Sequence, residues 1–224
     1  MNNLFSTFDP SSSLINLNLN WISSTLLFLF FPLNFWFSHN RFTFFYNLIF
    51  NFLKMEINNL LKIKSFKGNS IFFITIFFMM FFNNFLGLFP YIFTSTSHLI
   101  FNLTFSLPIW LTLMLFGWFN KTQNMFSHLI PNGTPSILMP FMVLIETISN
   151  LIRPGTLAVR LTANMIAGHL LITLLSSNGP NLPQIMIIFF LITEIMLLIL
   201  EISVSIIQTY VFTILSTLYT SEIH

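Results

Sequence analysis

The chain has 224 residues, of which only 6% are charged, whereas about a quarter of the residues of an ordinary soluble protein are. Hydrophobic residues make up 55%, so the chain lacks the charge to cover a water-soluble fold of this size, and it has no cysteine, which excludes disulfides, thiol chemistry and cysteine-ligated zinc. The composition therefore predicts an all-α integral membrane protein that forms a single membrane domain over residues 1–224.

The first half of the chain contains three candidate membrane spans and one candidate surface helix. A span requires about 20 apolar residues, and residues 14–38, 70–90 and 98–119 satisfy this length. Residues 41–67 hold five of the eight basic residues: Arg41, Lys54, Lys62, Lys64 and Lys67. The apolar residues of this segment recur at helical spacing, which favours an amphipathic membrane-surface helix over a nucleic-acid-binding segment.

The second half contains two long apolar segments, residues 135–176 and 182–220. The Asn-Gly-Pro-Asn sequence between them is typical of a turn. At 1.5 Å per residue each segment would be about 60 Å long, twice the thickness of the hydrocarbon layer. The two segments are therefore predicted to form a long, steeply tilted hairpin, which brings the membrane-embedded helices to about five. Pro140 and the Pro154-Gly155 pair are candidate bends in this hairpin.

The distribution of basic residues among the loops predicts the orientation of the chain. With five crossings, the basic segment 41–67, Lys121 and the C-terminus lie on one side of the membrane. The N-terminus and the loops at 91–97 and 177–181 lie on the other side, and none of them contains Lys or Arg. The positive-inside rule then places the N-terminus outside. Residues 1–13 show no basic presequence, and the many Phe, Asn, Ile and Met residues are typical of an AT-rich genome, which favours an organelle-encoded protein.

Six ionisable residues lie inside the two long segments, where a charge at mid-membrane costs at least about 3 kcal/mol. They are Glu146, Arg153, Arg160, His169, Glu194 and Glu201. One interpretation is structural ion pairing, for instance of Arg153 with Glu146 or of Arg160 with a glutamate of the last segment. The other is a polar path for protons, and for Arg153 and Glu194 the sequence leaves both interpretations open.

Arg160 is the most informative of these residues. Its helical neighbours on one flank are small or polar and would let another helix approach closely: Thr156, Ala163, Asn164 and Ala167. A guanidinium does not deprotonate at any working pH, so it is a poor proton carrier but a permanent positive charge. Facing a carboxylate on a partner helix, it would favour the ionised form, drive the proton off and block direct leakage past itself.

The remaining polar residues suggest a route for protons. His169 lies nine residues after Arg160, close to the opposite helix face, and it titrates near neutral pH, so it could relay protons. Glu194, Glu201 and Gln208 recur every seven residues and line one stripe of the last segment. This stripe suggests a polar path, although a hydrogen bond between helices explains Gln208 equally well.

Residues 156–171 (TLAVRLTANMIAGHLL) resemble the signature segment of the subunit a family of F-type ATP synthases, of the mitochondrial kind. Residues 200–212 (LEISVSIIQTYVF) resemble the last helix of that family, and residues 145–150 resemble the region before the signature. The order of elements agrees over the whole chain, including the surface helix. The resemblance implies a stator proton-channel subunit that couples proton translocation to ring rotation and ATP synthesis.

The resemblance also implies roles for individual residues. Arg160 matches the essential arginine that faces the ring of c subunits and acts on their carboxylates. His169 and Glu201 match the pair that lines the half-channel open to the intermembrane space. Glu146 matches the acid associated with the matrix half-channel.

Three further polar residues are less determined by the resemblance. Asn164 and Gln208 match polar positions close to the essential arginine. Glu194 corresponds to no motif position, so it could extend the polar path or sit as a protonated acid. Histidine at position 169 with glutamate at position 201 fits the mitochondrial arrangement within the family.

The implied mechanism is rotary, and it defines partners and location. The partners would be the c-ring subunits, the peripheral-stalk subunit b, other membrane subunits of the complex and the lipid bilayer, but no nucleic acid. The chain would lie in the mitochondrial inner membrane with its N-terminus in the intermembrane space and its C-terminus in the matrix. No cofactor is implied, and no Gly-Lys-Ser/Thr phosphate loop occurs, so the chain is not expected to bind nucleotide or make ATP itself.

Other membrane functions fit the residues less well. A proton-pumping subunit of another respiratory complex or a secondary transporter would usually be longer and carry internal repeats, and none is visible here. A passive assembly anchor would leave Arg160 unexplained. The scattered histidines form no helical ligand pair, which disfavours a haem or copper subunit: His39, His98, His128 and His169.

Overall fold

The computed structural model describes residues 4–12, 17–32, 38, 40–61, 68–130, 135, 137–179 and 183–223. In these ranges all regular secondary structure is helical, which confirms the all-α prediction. The α-helices are α1 (Arg41–Leu61), α2 (Asn69–Gly87), α3 (Leu99–Asn120), α4 (Thr122–His128), α5 (Met139–Asn178) and α6 (Gln184–Ile223). Short 3-10 helices cover Leu4–Phe8, Leu19–Phe30 and Ser95–Ser97.

Four of these helices are long and apolar enough to cross a membrane: α2, α3, α5 and residues Met186–Glu222 of α6. They confirm the prediction of a multi-pass membrane protein. The first predicted span, residues 14–38, is described only in part, as the 3-10 helix Leu19–Phe30. At about 2.0 Å per residue its 12 residues cover roughly 24 Å. Residues 14–16 and 33–37 lie outside the described part, so this fifth span stays a prediction.

The basic segment forms helix α1, which packs along α2. Leu53, Ile57 and Leu61 of α1 are buried against an apolar cluster of α2 that includes Phe73 and Phe78. The predicted segment extended to residue 67, but Lys62, Lys64 and Lys67 lie outside the described residues. On the opposite side α1 exposes large apolar side chains: Phe42, Phe44, Phe45, Leu48, Phe52 and Met55. A helix with one face on the protein and a second apolar face outward suits the membrane boundary.

The two long segments are continuous helices of 40 residues each, α5 and α6. Helix α5 begins four residues later than predicted and ends two residues later, so the start of the predicted turn is helical. Pro140 lies in the first turn, where a missing N–H leaves no hydrogen bond unmade. Pro154 is buried inside α5, and the helix continues through it. The tilt of these helices relative to a membrane stays a prediction.

Helix α6 presents small hydroxyl side chains to the interior. They are buried and recur mainly at four-residue spacing: Ser205, Thr209, Thr213, Ser216, Thr217 and Thr220. Each hydroxyl donates a hydrogen bond to a carbonyl three residues earlier on the same helix. Small, internally satisfied side chains let neighbouring helices approach closely. Phe212 fills the remaining space, against Met80 of α2 and Leu161 of α5.

Candidate functional site

Two cavities lie beside α5 and α6, toward opposite ends of these helices. The first, called here the His169 cavity, has a volume of about 910 Å³. Its polar lining includes Ser6, Thr7, Asp9, Ser11, Asn20, Ser23 and Thr94 from the first half of the chain, and His169, Thr173, Ser176 and Glu194 from α5 and α6. The second, the Glu146 cavity, has a volume of about 480 Å³ and is lined partly by Glu146, Asn150, Arg153, Tyr219 and Glu222. Both cavities therefore contain ionisable groups from both long helices.

The N-terminal segment closes one side of the His169 cavity. A hydrogen bond of 3.0 Å joins Nε2 of His98 to the carbonyl oxygen of Phe8. The ring of Phe8 meets the ring of His169 edge-on, with centroids 6.3 Å apart. At the rim, hydrogen bonds from the backbone N–H and the hydroxyl of Ser11 lower the pKa of Asp9 below its usual value. The entrance to this cavity thus carries a negative charge at neutral pH.

Glu201 of α6 packs against α5 at a glycine. A Cβ atom on Gly168, the residue before His169, would lie 2.6 Å from Oε1 of Glu201. Glu201 is 6% exposed, and its two carboxyl oxygens and Nε2 of His169 have no hydrogen-bond partner among the described residues. Buried polar atoms without partners are costly, so such groups are suited to holding a proton or an ordered water. Sequence reasoning missed Gly168, although a glycine inside a long helix was a signal.

The Glu146 cavity contains a network centred on Arg153. Nη1 of Arg153 lies 2.7 Å from Oε2 of Glu222, and Nη2 lies 3.7 Å from Oε1 of Glu146. The guanidinium also lies over the ring of Tyr219, with Cζ 4.7 Å from the centroid. The predicted pairing of Arg153 with Glu146 is therefore present, as the weaker of two contacts. Glu222 was missed because it stands beyond the apolar segment in which buried charges were sought.

Arg160 lies between the cavities on the outward face of α5. It is seven residues from Arg153 and nine from His169, which corresponds to about 10 Å and about 14 Å along the helix. Arg160 is exposed, and its guanidinium makes no ion pair or hydrogen bond with the described residues. The alternative pairing with a glutamate of the last helix is therefore not seen in this part of the chain. The exposed positions beside it are small, as predicted: Thr156, Ala163 and Ala167.

The other predicted site residues occupy intermediate positions. Asn164 and Glu194 are half-buried, and Glu194 lines the His169 cavity. Gln208 is also half-buried, and its Oε1 atom has no hydrogen-bond partner among the described residues. The stripe of Glu194, Glu201 and Gln208 therefore turns toward the protein. In the described ranges no three His, Asp or Glu side chains are grouped so that they could hold a metal ion.

Buried amides and hydroxyls of α2 and α3 were not singled out from the sequence. Atoms without a partner in the described structure belong to Asn83, Asn84, Asn102 and Ser106. Nδ2 of Asn102 donates to the carbonyl oxygen of Thr96 at 2.8 Å, but its Oδ1 remains unpaired. These residues are uncharged, so they do not stand out from an apolar segment as an arginine does. The adjacent pair Asn83-Asn84 within an apolar run was the available signal.

The comparisons with known proteins agree with this architecture. The sequence matches the family described as ATP synthase A chain over residues 17–221. It is 56% identical to ATP synthase subunit a of Drosophila yakuba, and 57% identical to the proteins of that name from Locusta migratoria and Aedes aegypti. Each alignment covers 100% of both chains. The chain belongs to the ATP synthase subunit a family.

Proposed function

We propose that this chain is the stator half of a proton channel, with the His169 cavity as the outer half-channel, the Glu146 cavity as the matrix half-channel and Arg160 as the divider between them. Family membership supports a role in the proton-translocating membrane sector of ATP synthase. The assignment of two half-channels and a divider rests on one observation. Two acid-bearing cavities lie toward opposite ends of α5 and α6, and between them lies an exposed arginine that has no partner among the described residues.

The outer half-channel would deliver protons toward the middle of the membrane. A proton enters past the ionised Asp9, whose negative charge raises the local proton concentration. His169 and Glu201 then pass it inward, since both carry buried atoms that accept or donate a proton. Glu194, on the wall of the same cavity, extends this path. The proton finally neutralises a carboxylate on a neighbouring ring of c subunits.

Arg160 would act on that ring carboxylate. The small residues beside it allow a partner helix to approach, and its permanent charge favours the ionised carboxylate, which forces the proton off. Asn164 lies four residues, about one helical turn, after Arg160. Gln208 is half-buried on α6, and the amides of both residues can hydrogen bond to water. The same charge repels a proton that would otherwise pass directly from one cavity to the other.

The released proton would leave through the Glu146 cavity. Each charge that crosses the membrane potential contributes about 2.3 kcal/mol per 100 mV, so several protons and a ring with several sites are needed for each ATP. In this proposal the chain makes no ATP itself. It works with the c-ring and peripheral-stalk subunit b in the mitochondrial inner membrane, its N-terminus in the intermembrane space and its C-terminus in the matrix.

The test of this proposal is proton flux in vesicles that hold the whole assembled complex, with wild type compared with Arg160→Ala. The expected result is loss of both ATP-driven and potential-driven coupled flux while the complex remains assembled on native gels. Lys54→Ala is the matched control, because it removes a basic side chain of α1 that is exposed and lines neither cavity. Undiminished coupled pumping by Arg160→Ala would contradict the divider role and leave family membership untouched.

A further inference from the structure

Arg153 is held by two helices at once in the Glu146 cavity. Its guanidinium bonds to Glu222 at 2.7 Å, whereas its distance to Glu146 is 3.7 Å, beyond hydrogen-bond length. Glu146 lies two turns before Arg153 on α5, while Glu222 comes from the last turn of α6. One cation is thus shared unequally between two carboxylates that belong to different walls of the same cavity.

The last turn of α6 supplies two contacts that hold the guanidinium. Tyr219 and Glu222 are three residues apart, so they lie on the same face of the helix. The ring of Tyr219 lies below the guanidinium, 4.7 Å from Cζ, while the Glu222 carboxylate binds its edge. A planar guanidinium that stacks on a ring and donates along its edge is fixed in direction. Arg153 is therefore bonded to α6, and Glu146 is the more distant of its two carboxylate partners.

We propose that Arg153 is a positioning residue and that Glu222 keeps it off Glu146, so that Glu146 stays able to take up and release protons. This inference rests on the proposed function, in which Glu146 serves the matrix half-channel. A guanidinium bonded directly to Glu146 would favour its ionised form and make it a poor proton acceptor. In the described lining of the cavity the ionisable groups are Glu146, Arg153, Tyr219 and Glu222. The lining residues that α3 and α4 contribute are aliphatic, Met or Trp, so they add no charge.

The inference predicts suppression of one substitution by another. Glu222→Gln removes the charge that holds Arg153, which then turns to Glu146, and ATP-driven pumping falls by about tenfold, the change given by one unit of proton affinity. Pumping by this variant also reaches half its maximum at a lower pH on the side of the Glu146 cavity. Adding Arg153→Gln removes the competing cation, so the double variant pumps faster than Glu222→Gln alone. Glu222→Asp keeps the charge and is expected to retain most of the flux.

The measurement uses assembled complex in vesicles, with Ser221→Ala as the control for changes in the last turn of α6, because the Ser221 hydroxyl bonds within its own helix. Wild-type flux in Glu222→Gln would overturn the inference, as would a double variant no faster than the single one, since Glu222 would then carry protons itself. Glu146→Gln distinguishes a failure of this inference from a failure of the proposed matrix half-channel. If it pumps normally, the proposed matrix path fails; if it is slow while Glu222→Gln is normal, only the role of Arg153 fails.

Discussion

In the Glu146 cavity each ionised side chain lies near one of opposite sign, with Arg153 bonded to Glu222 and 3.7 Å from Glu146. In the neighbourhood of His169 the arrangement differs. Glu201 is buried with both carboxyl oxygens unpaired, and no described cation lies within ion-pair distance of it. The same two helices thus build one site where an arginine contacts two acids, and another where an acid and an imidazole have no partner among the described residues.

The difference indicates how each site can handle a proton. The carboxyl group of Glu201 is buried and has no hydrogen-bond partner among the described residues, so it could hold a proton or an ordered water. In the Glu146 cavity the guanidinium of Arg153 is bonded to Glu222, so in our proposal Glu146 is left to exchange protons. In the proposed function protons are taken up on one side and released on the other, and the two environments are consistent with that division. On the His169 side no ion pair is seen among the described residues, so a change to a single side chain is expected to have a large effect there.

The largest effect is expected from Glu201→Gln. An amide has similar size but cannot bind and release a proton, so flux should fall by about 100-fold, at the lower end of what a positioned acid or base contributes. Proton flux in assembled vesicles measures this, and Ser203→Ala on the same helix is the control because its side chain is exposed. Flux within a few-fold of wild type would show that protons pass His169 without using Glu201.

An intermediate effect is expected from Gly168→Ala. The added methyl would lie 2.6 Å from Oε1 of Glu201, so the carboxyl must move, which should lower flux by about tenfold and destabilise the packing of α5 on α6 by about 1–3 kcal/mol. Gly155→Ala is a matched control on the same helix, since a Cβ there has no atom within 4 Å. Flux and thermal dissociation of the complex should change only in the first variant. Equal behaviour of the two alanine variants would show that the contact with Glu201 has no role.

The smallest effect is expected from Asp9→Asn at the rim of the His169 cavity. Because hydrogen bonds from Ser11 lower the pKa of Asp9, the carboxylate is ionised throughout the neutral range, and it loses its charge only under strong acid. Its removal should reduce flux by no more than about twofold at low salt, and less at high salt, since exposed charges are screened. The ratio of variant to wild-type flux should stay constant between pH 6 and pH 8, roughly the range in which Asp9 remains ionised. A ratio that changes across this range would mean that another group at the rim titrates.

The sequence predicted the helices that cross the membrane more closely than the contacts between them. The predicted segment 98–119 became Leu99–Asn120, because a run of apolar residues has clear ends. Arg160 and Glu201 were found because a charge is conspicuous in an apolar segment. The sequence also predicted the small residues beside Arg160, because their position on the same helix face depends only on helical spacing.

Residues whose importance depends on a partner distant in sequence were not predictable. Gly168 matters because Glu201, 33 positions later, packs against its Cα atom. No local sequence pattern predicts a contact between residues so far apart in the chain. Glu222 acquires its role only through Arg153 of another helix. The first predicted span shows a related limit, because the described helix Leu19–Phe30 has 3-10 rather than α geometry, and propensity does not distinguish the two.

The hydrogen bond between Tyr210 of α6 and Glu56 of α1 has a mechanical consequence in a rotary machine. In the proposed function a turning ring would push sideways on the helices that it touches, and this chain would have to resist the reaction torque. Tyr210 follows Gln208 by two residues, so the bond braces α6 about two thirds of the way along its length. Through Leu53 and Ile57, which pack on α2, the surface helix would spread that load across the bundle and hold the stator still while the rotor moves.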